Sequence, residues 1–280
     1  MSTLYLVGTP IGNLEDITPR ALQVLREVSL IAAEDTRTAK QLLAHFEIHT
    51  SVTSYYEHNK LTKLDRILKA LLGGDVAVIS EAGMPGLSDP GYELVRAALA
   101  RDIPVVPVPG PSAILAALVG SGLSAERFYY LGFLPREPQK RRRLLREVAQ
   151  EPTTLIAFEA PHRIRETLAD MEAILDGREI CVARELTKVF EEFRRGPISE
   201  VRKHFDENEP RGEFTLIVEG AATRRGRAAA PEEWDEERVR SEVRKLLRKG
   251  VPRPEAVKRV ARASRRDRRE VYQLTLKESE

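Results

Sequence analysis

Short apolar runs alternate with longer segments of helical periodicity through the first part of the chain. The continuously apolar runs lie at 4–7, 30–33, 76–80 and 103–108. A further strand is expected near 51–56, and helices at about 19–28, 37–46, 61–72, 92–101 and 114–120. Continuously apolar strands are buried on both faces, so this alternation predicts a mainly parallel sheet with helices on both sides.

The spacing changes after the small-residue segment 120–124, and strands then follow one another more closely. Strand-like runs lie at 128–134, 154–158, 179–183, 191–195 and 214–218, with helical patterns at 139–148, 163–175 and 198–205. Denser strands predict a second α/β domain with a mixed sheet. We therefore expect an N-terminal α/β domain at 1–122 and a C-terminal α/β domain at 123–220.

The end of the chain has a different composition. Residues 221–233 resemble a linker, and residues 234–280 carry apolar side chains at helical spacing in three short stretches. The apolar positions are Val239, Val243, Leu246, Leu247, Val257, Val260, Ala261, Val271 and Leu274. Because Gly250 and Pro252 interrupt the pattern, the stretches predict a small all-α domain of the helix-turn-helix kind.

Composition excludes several classes of protein. With 42% hydrophobic and 31% charged residues in periodic blocks, the chain is neither disordered nor membrane-spanning. Its first residues lack the basic start of a signal peptide, so we expect a cytoplasmic protein. A single cysteine, Cys181, excludes a disulfide framework and a cysteine zinc site, and the five histidines lack metal-binding spacing, so no metal is expected.

Charge is distributed unevenly although the net charge is only +2. Residues 221–280 contain 18 basic and 11 acidic residues, a net charge of +7, whereas residues 1–220 carry a net charge of −5. A basic segment can bind nucleic acid by neutralising phosphates and releasing their counterions. A solvated pair of charged helices remains an alternative explanation for the same residues.

Three loops rich in glycine and proline follow apolar strands, at 8–13, 81–91 and 109–113. Ligands of α/β proteins bind at the carboxyl ends of strands, so the repetition predicts a small-molecule site. The glycines and prolines of these loops could also serve only to make tight turns. A dinucleotide-like pattern at 120–125 follows a helix rather than a strand and does not predict a cofactor site.

Six segments in a fixed order carry a resemblance to a known class of enzymes. They are GTPIGNL (8–14), SEAGMPGLSDPG (80–91), PGPSA (109–113), FEAPHR (158–163), RELTK (184–188) and GEFTLIVEG (212–220). Together they resemble the tetrapyrrole-methylase-like class of methyltransferases over residues 3–220. Within it they are most similar to the ribosomal RNA small subunit methyltransferase I family of 16S rRNA cytidine 2′-O-methyltransferases, whose small C-terminal domain the basic tail also matches.

The resemblance implies two α/β domains with S-adenosyl-L-methionine in the cleft between them, and a homodimer. It assigns cofactor contacts to Pro10, Glu81, Ala82, Gly83, Pro85, Ser112, Ala113, Phe158, Glu159, Ala160, Pro161, Gly212, Glu213 and Phe214. Many members of the family have aspartate where this chain has Glu81, so the implied contact would be made here by a longer carboxylate. The implied substrate is a cytidine of 16S rRNA, expected to be position 1402 in the decoding centre of the small ribosomal subunit.

Methyl transfer to a ribose hydroxyl benefits from a group that accepts the hydroxyl proton. Among the polar residues at strand ends we expect Glu185 and Lys188 first, and Asp35 next, to be catalytic; Glu81, Asp89 and Glu159 are further candidates. A structural ion pair between Arg184 and Glu185 is an equally open alternative. The residues expected to contact RNA phosphates are Lys140, Arg141, Arg142, Arg143, Arg163 and Arg184.

Two other functions are compatible with the same residues. A tetrapyrrole methylase would share the fold but would have little use for a basic tail. A non-catalytic RNA-binding assembly factor would keep the fold without turning the cofactor over. Because the aromatic content is only 6%, a stand-alone binder of single-stranded nucleic acid is disfavoured.

Overall fold

The computed structural model describes residues 2–57, 59–175, 177–221, 234–248, 250–264 and 266–276. The chain divides into two compact units, which meet between Ala221 and residue 222. The predicted linker at 221–233 lies, except for Ala221, outside the described residues. Among the described residues, no helix is both long enough and apolar enough to cross a bilayer.

The first five strands form a parallel sheet, as predicted. They are β1 (Leu4–Val7), β2 (Leu30–Ala33), β3 (Val52–Ser54), β4 (Val76–Ile79) and β5 (Val105–Val108). Their order is β3-β2-β4-β1-β5, and every neighbouring pair runs parallel. All carboxyl ends therefore lie at one edge of the sheet.

Helices cover both faces of this sheet, which confirms the prediction from the apolar strands. They are α1 (Pro19–Glu27), α2 (Thr36–His45), α3 (Lys60–Ala70), α4 (Tyr92–Leu99) and α5 (Ala113–Ser121). The first two pack on one face, where Leu25 and Leu43 join Ile31 in the core. The next two pack on the other face through Ile67 and Leu94. A 3-10 turn at Leu14–Asp16 was not predicted.

The second sheet is mixed, also as predicted. Its strands are β6 (Phe128–Phe133), β7 (Thr154–Glu159), β8 (Glu179–Arg184), β9 (Glu192–Pro197) and β10 (Phe214–Val218). The order is β6-β7-β10-β8-β9, with β6 and β7 parallel and the other pairs antiparallel. We call residues 2–122, built on the first sheet, the N-terminal lobe, and residues 123–221 the C-terminal lobe.

One helix of the N-terminal lobe completes the core of the C-terminal lobe. Helices α6 (Pro138–Glu147), α7 (Ile164–Leu175) and α8 (Ile198–Glu207) cover one face of the second sheet. Its other face packs against α5, where Ile114 and Leu118 contact Ile156 and Ile217. This explains why the sequence of α5 is apolar on nearly all sides. The two lobes therefore share a hydrophobic core, and the domain boundary after residue 122 stays a prediction.

The second unit contains three helices, α9 (Glu236–Arg248), α10 (Arg253–Ser264) and α11 (Arg268–Leu276). Asp235 and Asp267 accept hydrogen bonds from the backbone at the starts of α9 and α11 and so cap them. The apolar positions predicted from helical spacing all belong to one small core. The three predicted helices are thereby confirmed.

Candidate active site

Three loops converge at the carboxyl edge of the first sheet. Since β4, β1 and β5 are neighbours, the loops that follow them start side by side. Thr9 and Gly83 exchange two backbone hydrogen bonds, of 2.9 and 3.1 Å, and Gly8 N–H donates to the Val108 carbonyl at 3.0 Å. The three glycine- and proline-rich loops predicted from the sequence therefore form one continuous surface.

This surface requires glycine where two loops come closest. A Cβ on Gly8 would lie 2.8 Å from Cα of Gly110, and a Cβ on Gly110 would lie 2.9 Å from Cα of Gly8. Gly83 has φ of +77°, a left-handed conformation that other residues rarely adopt. Here the glycines serve close backbone approach as well as turning, and they leave backbone groups accessible to a ligand.

The C-terminal lobe brings its three motifs together in the same way. The antiparallel strand β10 begins where β7 and β8 end, so Phe214 lies opposite both Glu159 and Arg184. A side chain on Gly212, which has φ of +77°, would overlap the carboxylate of Glu185. Three segments spread over residues 158–220 thus meet at one edge of the second sheet.

The two edges adjoin each other, and we call the region where they meet the cleft. A Cβ on Gly12 would lie 2.6 Å from Cγ of Lys188 and 2.8 Å from the Leu186 carbonyl oxygen. Ser88 Oγ and Tyr130 Oη form a hydrogen bond of 2.6 Å that links the two lobes. The first and second loops of the N-terminal lobe therefore reach the C-terminal lobe directly.

Four carboxylates from both lobes influence one another in this cleft. Burial, together with the charges of Glu34, Glu81 and Glu213, raises the pKa of Asp89 to about 6. Burial also raises the pKa of Glu34, whose carboxylate accepts a hydrogen bond from the Glu81 backbone N–H at 3.3 Å. The cleft consequently has a negative potential that suits a cationic ligand.

The candidate base Asp35 has a structural task. Its side chain accepts a hydrogen bond from Arg37 N–H at 2.7 Å and thereby caps α2. Hydrogen bonds from the Arg37 side chain and backbone lower the pKa of Asp35 to about 2. A carboxylate that holds protons so weakly is a poor general base near neutral pH. Asp35 is therefore a weaker candidate for the catalytic base than its position after β2 indicates.

Glu185 and Lys188, the first two catalytic candidates, form an ion pair of 3.0 Å. Arg184 pairs instead with Glu192 of β9 at 2.6 Å, across a register that places the two residues opposite each other. The suggested Arg184–Glu185 pair is therefore wrong. Both catalytic candidates lie at the junction of the lobes, and their role stays a prediction.

The residues predicted to contact the cofactor lie along both edges, but two of them turn their side chains into the protein. Glu159 accepts a hydrogen bond from Thr167 Oγ1 at 2.6 Å and faces Arg163 Nε at 3.3 Å. Phe214 is buried in the core of the C-terminal lobe against Phe205. A ligand can reach these two residues only through their backbone. Phe158 is half-buried and packs against Tyr130.

The basic helix α6 presents only part of its charge to solvent. Arg141 is 1% exposed, and its Nε lies 2.7 Å from Asp170 of α7. Arg142, which is half-exposed, pairs with the same carboxylate at 2.6 Å. Lys140 and Arg143 are exposed. The expectation that Arg141 contacts RNA is corrected, because its charge is buried between two helices.

The expectation that Arg163 and Arg184 contact RNA phosphates is corrected for a similar reason. The Arg163 guanidinium donates to the carbonyl oxygens of Leu134 and Pro135 at 2.7 and 2.9 Å and is largely buried. The Arg184 guanidinium is held by Glu192. Both cations stabilise the C-terminal lobe internally, so the exposed basic residues of α6 are the remaining candidates for phosphate contacts.

The cleft fits the predicted cofactor. S-adenosylmethionine carries a sulfonium and an ammonium cation, which the four carboxylates would attract. The Thr187 hydroxyl is buried beside Gly12 and has no hydrogen-bond partner among the described residues, so it can bind a ligand. Within the same residues, no group of three or more His, Cys, Asp or Glu side chains is arranged to hold a metal ion.

Two residues of this site are not singled out by the sequence. Asp89 is only one of several further candidates for the catalytic base, and Glu34 is not among them. The signal for Glu34 was its place beside Asp35 at the end of a buried strand. The raised pKa of Asp89 depends on burial and on charges from two other segments as well as its own, which no local pattern reveals.

Comparison with known proteins agrees with this geometry. Residues 3–202 match the family model of the Tetrapyrrole (Corrin/Porphyrin) Methylases. Ribosomal RNA small subunit methyltransferase I of Synechocystis sp. is 46% identical over 99% of this chain and 98% of its own length. The protein of the same name from Halalkalibacterium halodurans is 46% identical over 97% of this chain and 94% of its own length.

A solved structure shows the same fold at low sequence identity. Uroporphyrin-III C-methyl transferase from Thermus thermophilus, complexed with S-adenyl homocysteine, is 21% identical. It superposes with a TM-score of 0.56 over 78% of this chain and 97% of its own. These findings confirm the predicted fold and the prediction of an S-adenosylmethionine-dependent methyltransferase. The chain belongs to the tetrapyrrole methylase family and, within it, to the family of ribosomal RNA small subunit methyltransferase I.

Proposed function

We propose that this protein transfers the methyl group of S-adenosyl-L-methionine to the ribose 2′-hydroxyl of a cytidine in 16S rRNA of the small ribosomal subunit. The expected nucleotide is cytidine 1402 in the decoding centre. The names of relatives that match nearly the whole chain support an rRNA substrate. An rRNA substrate also agrees with the expected cytoplasmic location of the protein.

The observation that carries the proposal is the convergence of distant motifs on one cleft. Segments from both lobes, starting at Gly8 and ending at Phe214, line two facing edges that touch at Gly12 and Lys188. In such a cleft the protein can hold donor and acceptor in line, which is the main requirement for displacement at an activated methyl group. The sulfonium would lie in the negative potential of the carboxylates.

The acceptor hydroxyl needs a group that takes its proton as the new bond forms. Glu185 and Lys188 remain proposed for this role, because the motif that carries them lies at the contact between the lobes. Asp89 is the better-tuned carboxylate, since a pKa of about 6 is close to the working pH. Asp35 is the weakest of the four candidates, because a carboxylate with a pKa of about 2 is a poor proton acceptor.

Binding of the ribosomal subunit is assigned to exposed cations. Lys140, Arg142 and Arg143 lie on the accessible side of α6, and the C-terminal segment 221–280 adds a net charge of +7. Because the reacting methyl group lies in a cleft, the RNA must present an unstacked nucleotide. The cations would hold the flanking phosphates while that nucleotide enters.

A homodimer is part of the proposal. Leu115 and Val119 are one helical turn apart on α5, and they are 53% and 76% exposed. Apolar residues grouped on one exposed face support a protein interface there. Light scattering of the purified protein measures the mass directly, and a monomer at micromolar concentration would contradict this part.

The decisive experiment uses 30S subunits from a strain that lacks the modification. The protein is incubated with these subunits and radiolabelled S-adenosylmethionine, and the label is mapped by nuclease digestion and mass spectrometry. We expect one 2′-O-methylated cytidine. Label on a base, or no label although the cofactor binds, would contradict the proposal, and transfer to a tetrapyrrole would replace it.

A further inference from the structure

A separate cavity of about 300 Å³ opens in the C-terminal lobe. It lies where the parallel strands β6 and β7 end and where the chain turns towards α6 and α7. Its lining residues are Phe133, Leu134, Arg136, Ala160, His162 and Arg163. Of these, only Ala160 is among the residues assigned to the cofactor, although His162 and Arg163 follow it in the same segment. The cavity has the size of the smaller ligand sites in proteins.

Arg163 builds the wall of this cavity and is not free to bind a ligand. Its guanidinium donates to the carbonyl oxygens of Leu134 and Pro135 and lies 3.3 Å from the buried carboxylate of Glu159. These contacts join the segment after β6 to the segment after β7. The guanidinium of Arg163 is therefore fixed in the wall of the cavity by contacts within the C-terminal lobe.

Two other polar side chains at the cavity are available, the guanidinium of Arg136 and the imidazole of His162. Arg136 and His162 are exposed, and neither forms an ion pair with a described residue. The carboxylate of Glu137, next to Arg136 in sequence, is taken by Lys140 at 3.0 Å. An anion entering the cavity would therefore meet side-chain donors that have no competing partner among the described residues.

An aromatic side chain lines the cavity together with Arg136 and His162. Phe133 is 55% exposed although its ring packs against Phe158, with 5.4 Å between ring centroids. An exposed ring fixed from one side is suited to stacking against a nucleobase. A stacking ring, one arginine cation and one imidazole around one small cavity match the base and the phosphate of a nucleotide.

We propose that this cavity holds one nucleotide of the substrate RNA beside the nucleotide that is methylated. Its base stacks on Phe133, and its phosphate binds Arg136 and His162. This inference rests on the proposed function, because an RNA substrate supplies the neighbouring nucleotide. Protein recognition of RNA commonly uses unstacked bases on aromatic side chains in this manner.

The cavity is connected to the methyl-transfer cleft through aromatic contacts. The ring of Phe158 touches both Phe133 and Tyr130, and the Tyr130 hydroxyl is hydrogen-bonded to Ser88 in a loop of the cleft. A nucleotide bound on Phe133 would thus lie close to the target ribose. Holding the neighbour keeps the target nucleotide out of its own stack.

The test compares variants of the cavity with matched variants outside it. Phe133→Ala should raise the KM for 30S subunits about tenfold, as expected for the loss of one base stack, whereas Phe133→Trp should not. Phe128→Ala is the control, because Phe128 lies at the other end of β6 and is also exposed, at 41%. The dissociation constant for S-adenosylhomocysteine, measured by calorimetry, should not change in any of these variants.

Salt dependence separates the phosphate contact from the stack. Arg136→Ala should reduce the slope of log affinity against log salt concentration by about 1, whereas Phe133→Ala should weaken binding with the slope unchanged. Arg146→Ala, an exposed arginine at the far end of α6, is the matched control. Affinity for 30S subunits is measured by filter binding with S-adenosylhomocysteine present.

The outcomes distinguish this inference from the proposed function. If the wild type methylates 16S rRNA and the cavity variants behave like Phe128→Ala and Arg146→Ala, the nucleotide site is wrong. If the cavity variants lose S-adenosylhomocysteine in proportion to activity, the cavity belongs to the cofactor site and the inference is again wrong. If the wild type transfers no methyl group to 30S subunits, the proposed function fails, and the filter-binding differences alone decide the RNA site.

Discussion

The two compact units of this protein differ in how they use charge. The body, up to Ala221, is acidic overall and buries some of its charged groups, such as Arg141 with Asp170 and Glu159 beside Arg163. The helical tail is basic, and ion pairs among its described residues, such as Arg240–Glu236 and Arg259–Glu255, lie at the surface along single helices. Buried charges fix geometry, whereas exposed charges of one sign create a long-range field.

The cores of the two units differ as well. The body has four hydrophobic clusters that include a core shared by the two lobes. The tail has a single small cluster built mainly from valine and alanine. A unit this small is only marginally stable on its own. The difference suggests that the body performs the chemistry and that the tail contributes attraction to RNA.

The largest expected effect concerns the buried ion pair of the body. Arg141→Ala leaves Asp170 with one half-exposed partner, and we expect a loss of about 3 kcal/mol in the free energy of unfolding. The matched change in the tail is Arg259→Ala, which removes an exposed pair with Glu255 and should cost less than about 0.5 kcal/mol. Urea unfolding measures both. Equal losses would contradict the comparison.

Removing the tail tests the division of labour directly. A chain ending at Ala221 should show a KM for 30S subunits raised on the order of a hundredfold at 0.15 M salt, because the net charge of +7 is lost. Its affinity for S-adenosylhomocysteine should stay the same, since the cleft lies in the body. A full-length variant with Arg253→Glu and Arg268→Glu controls for the loss of structure. Unchanged activity on subunits would exclude a role of the tail in RNA binding.

The close approach of two loops in the body should be sensitive to a single methyl group. Gly8→Ala forces its Cβ against the backbone of Gly110, so we expect a loss of about 2 kcal/mol in stability together with weakened S-adenosylhomocysteine binding. Gly73→Ala is the control, because its nearest contact would be an ordinary 3.7 Å. Thermal unfolding and calorimetry report the two effects, and a Gly8→Ala protein that binds normally would show that the loops adapt.

The smallest expected effect depends on pH and concerns Asp89. Its pKa rises from an ordinary 3.8 to about 6 on folding, so the folded protein binds this proton more tightly than the unfolded chain does. The contribution to stability therefore falls as pH rises from about 4 to 6. Asp89→Asn should raise Tm by a few degrees at pH 8 and not at pH 4. Exposed Asp65→Asn is the control, and a gain at both pH values would contradict the raised pKa.

Local patterns were sufficient for the secondary structure and for the outline of the site. Apolar runs predicted the strands within a few residues, and the helix expected from residue 19 begins at Pro19, where the Thr18 side chain caps it. The three loops after β1, β4 and β5 predicted a ligand site because parallel neighbours end at one edge. These features follow from steric and hydrophobic preferences that act over a few residues.

Side-chain roles were harder to predict, and one error was avoidable. In the run of basic residues on α6, Arg141 lies four residues before Leu145 and seven before Val148, which places it on the buried face. Helical periodicity therefore distinguishes Arg141 from its exposed neighbours Lys140 and Arg143. Counting the charges of the run without their positions around the helix predicts one surface patch, which is wrong for Arg141.

The sequence by itself determined the order and type of the elements, the mixed and parallel sheets, the family and the basic tail, because each depends on residues close together in the chain. Only the tertiary structure decided that Gly8 meets Gly110, that Arg184 pairs with Glu192, and that burial and two carboxylates from distant segments raise the pKa of Asp89. These properties depend on distances between segments far apart in sequence. Electrostatic and steric energies depend on those distances, and only the packing of the folded chain sets them.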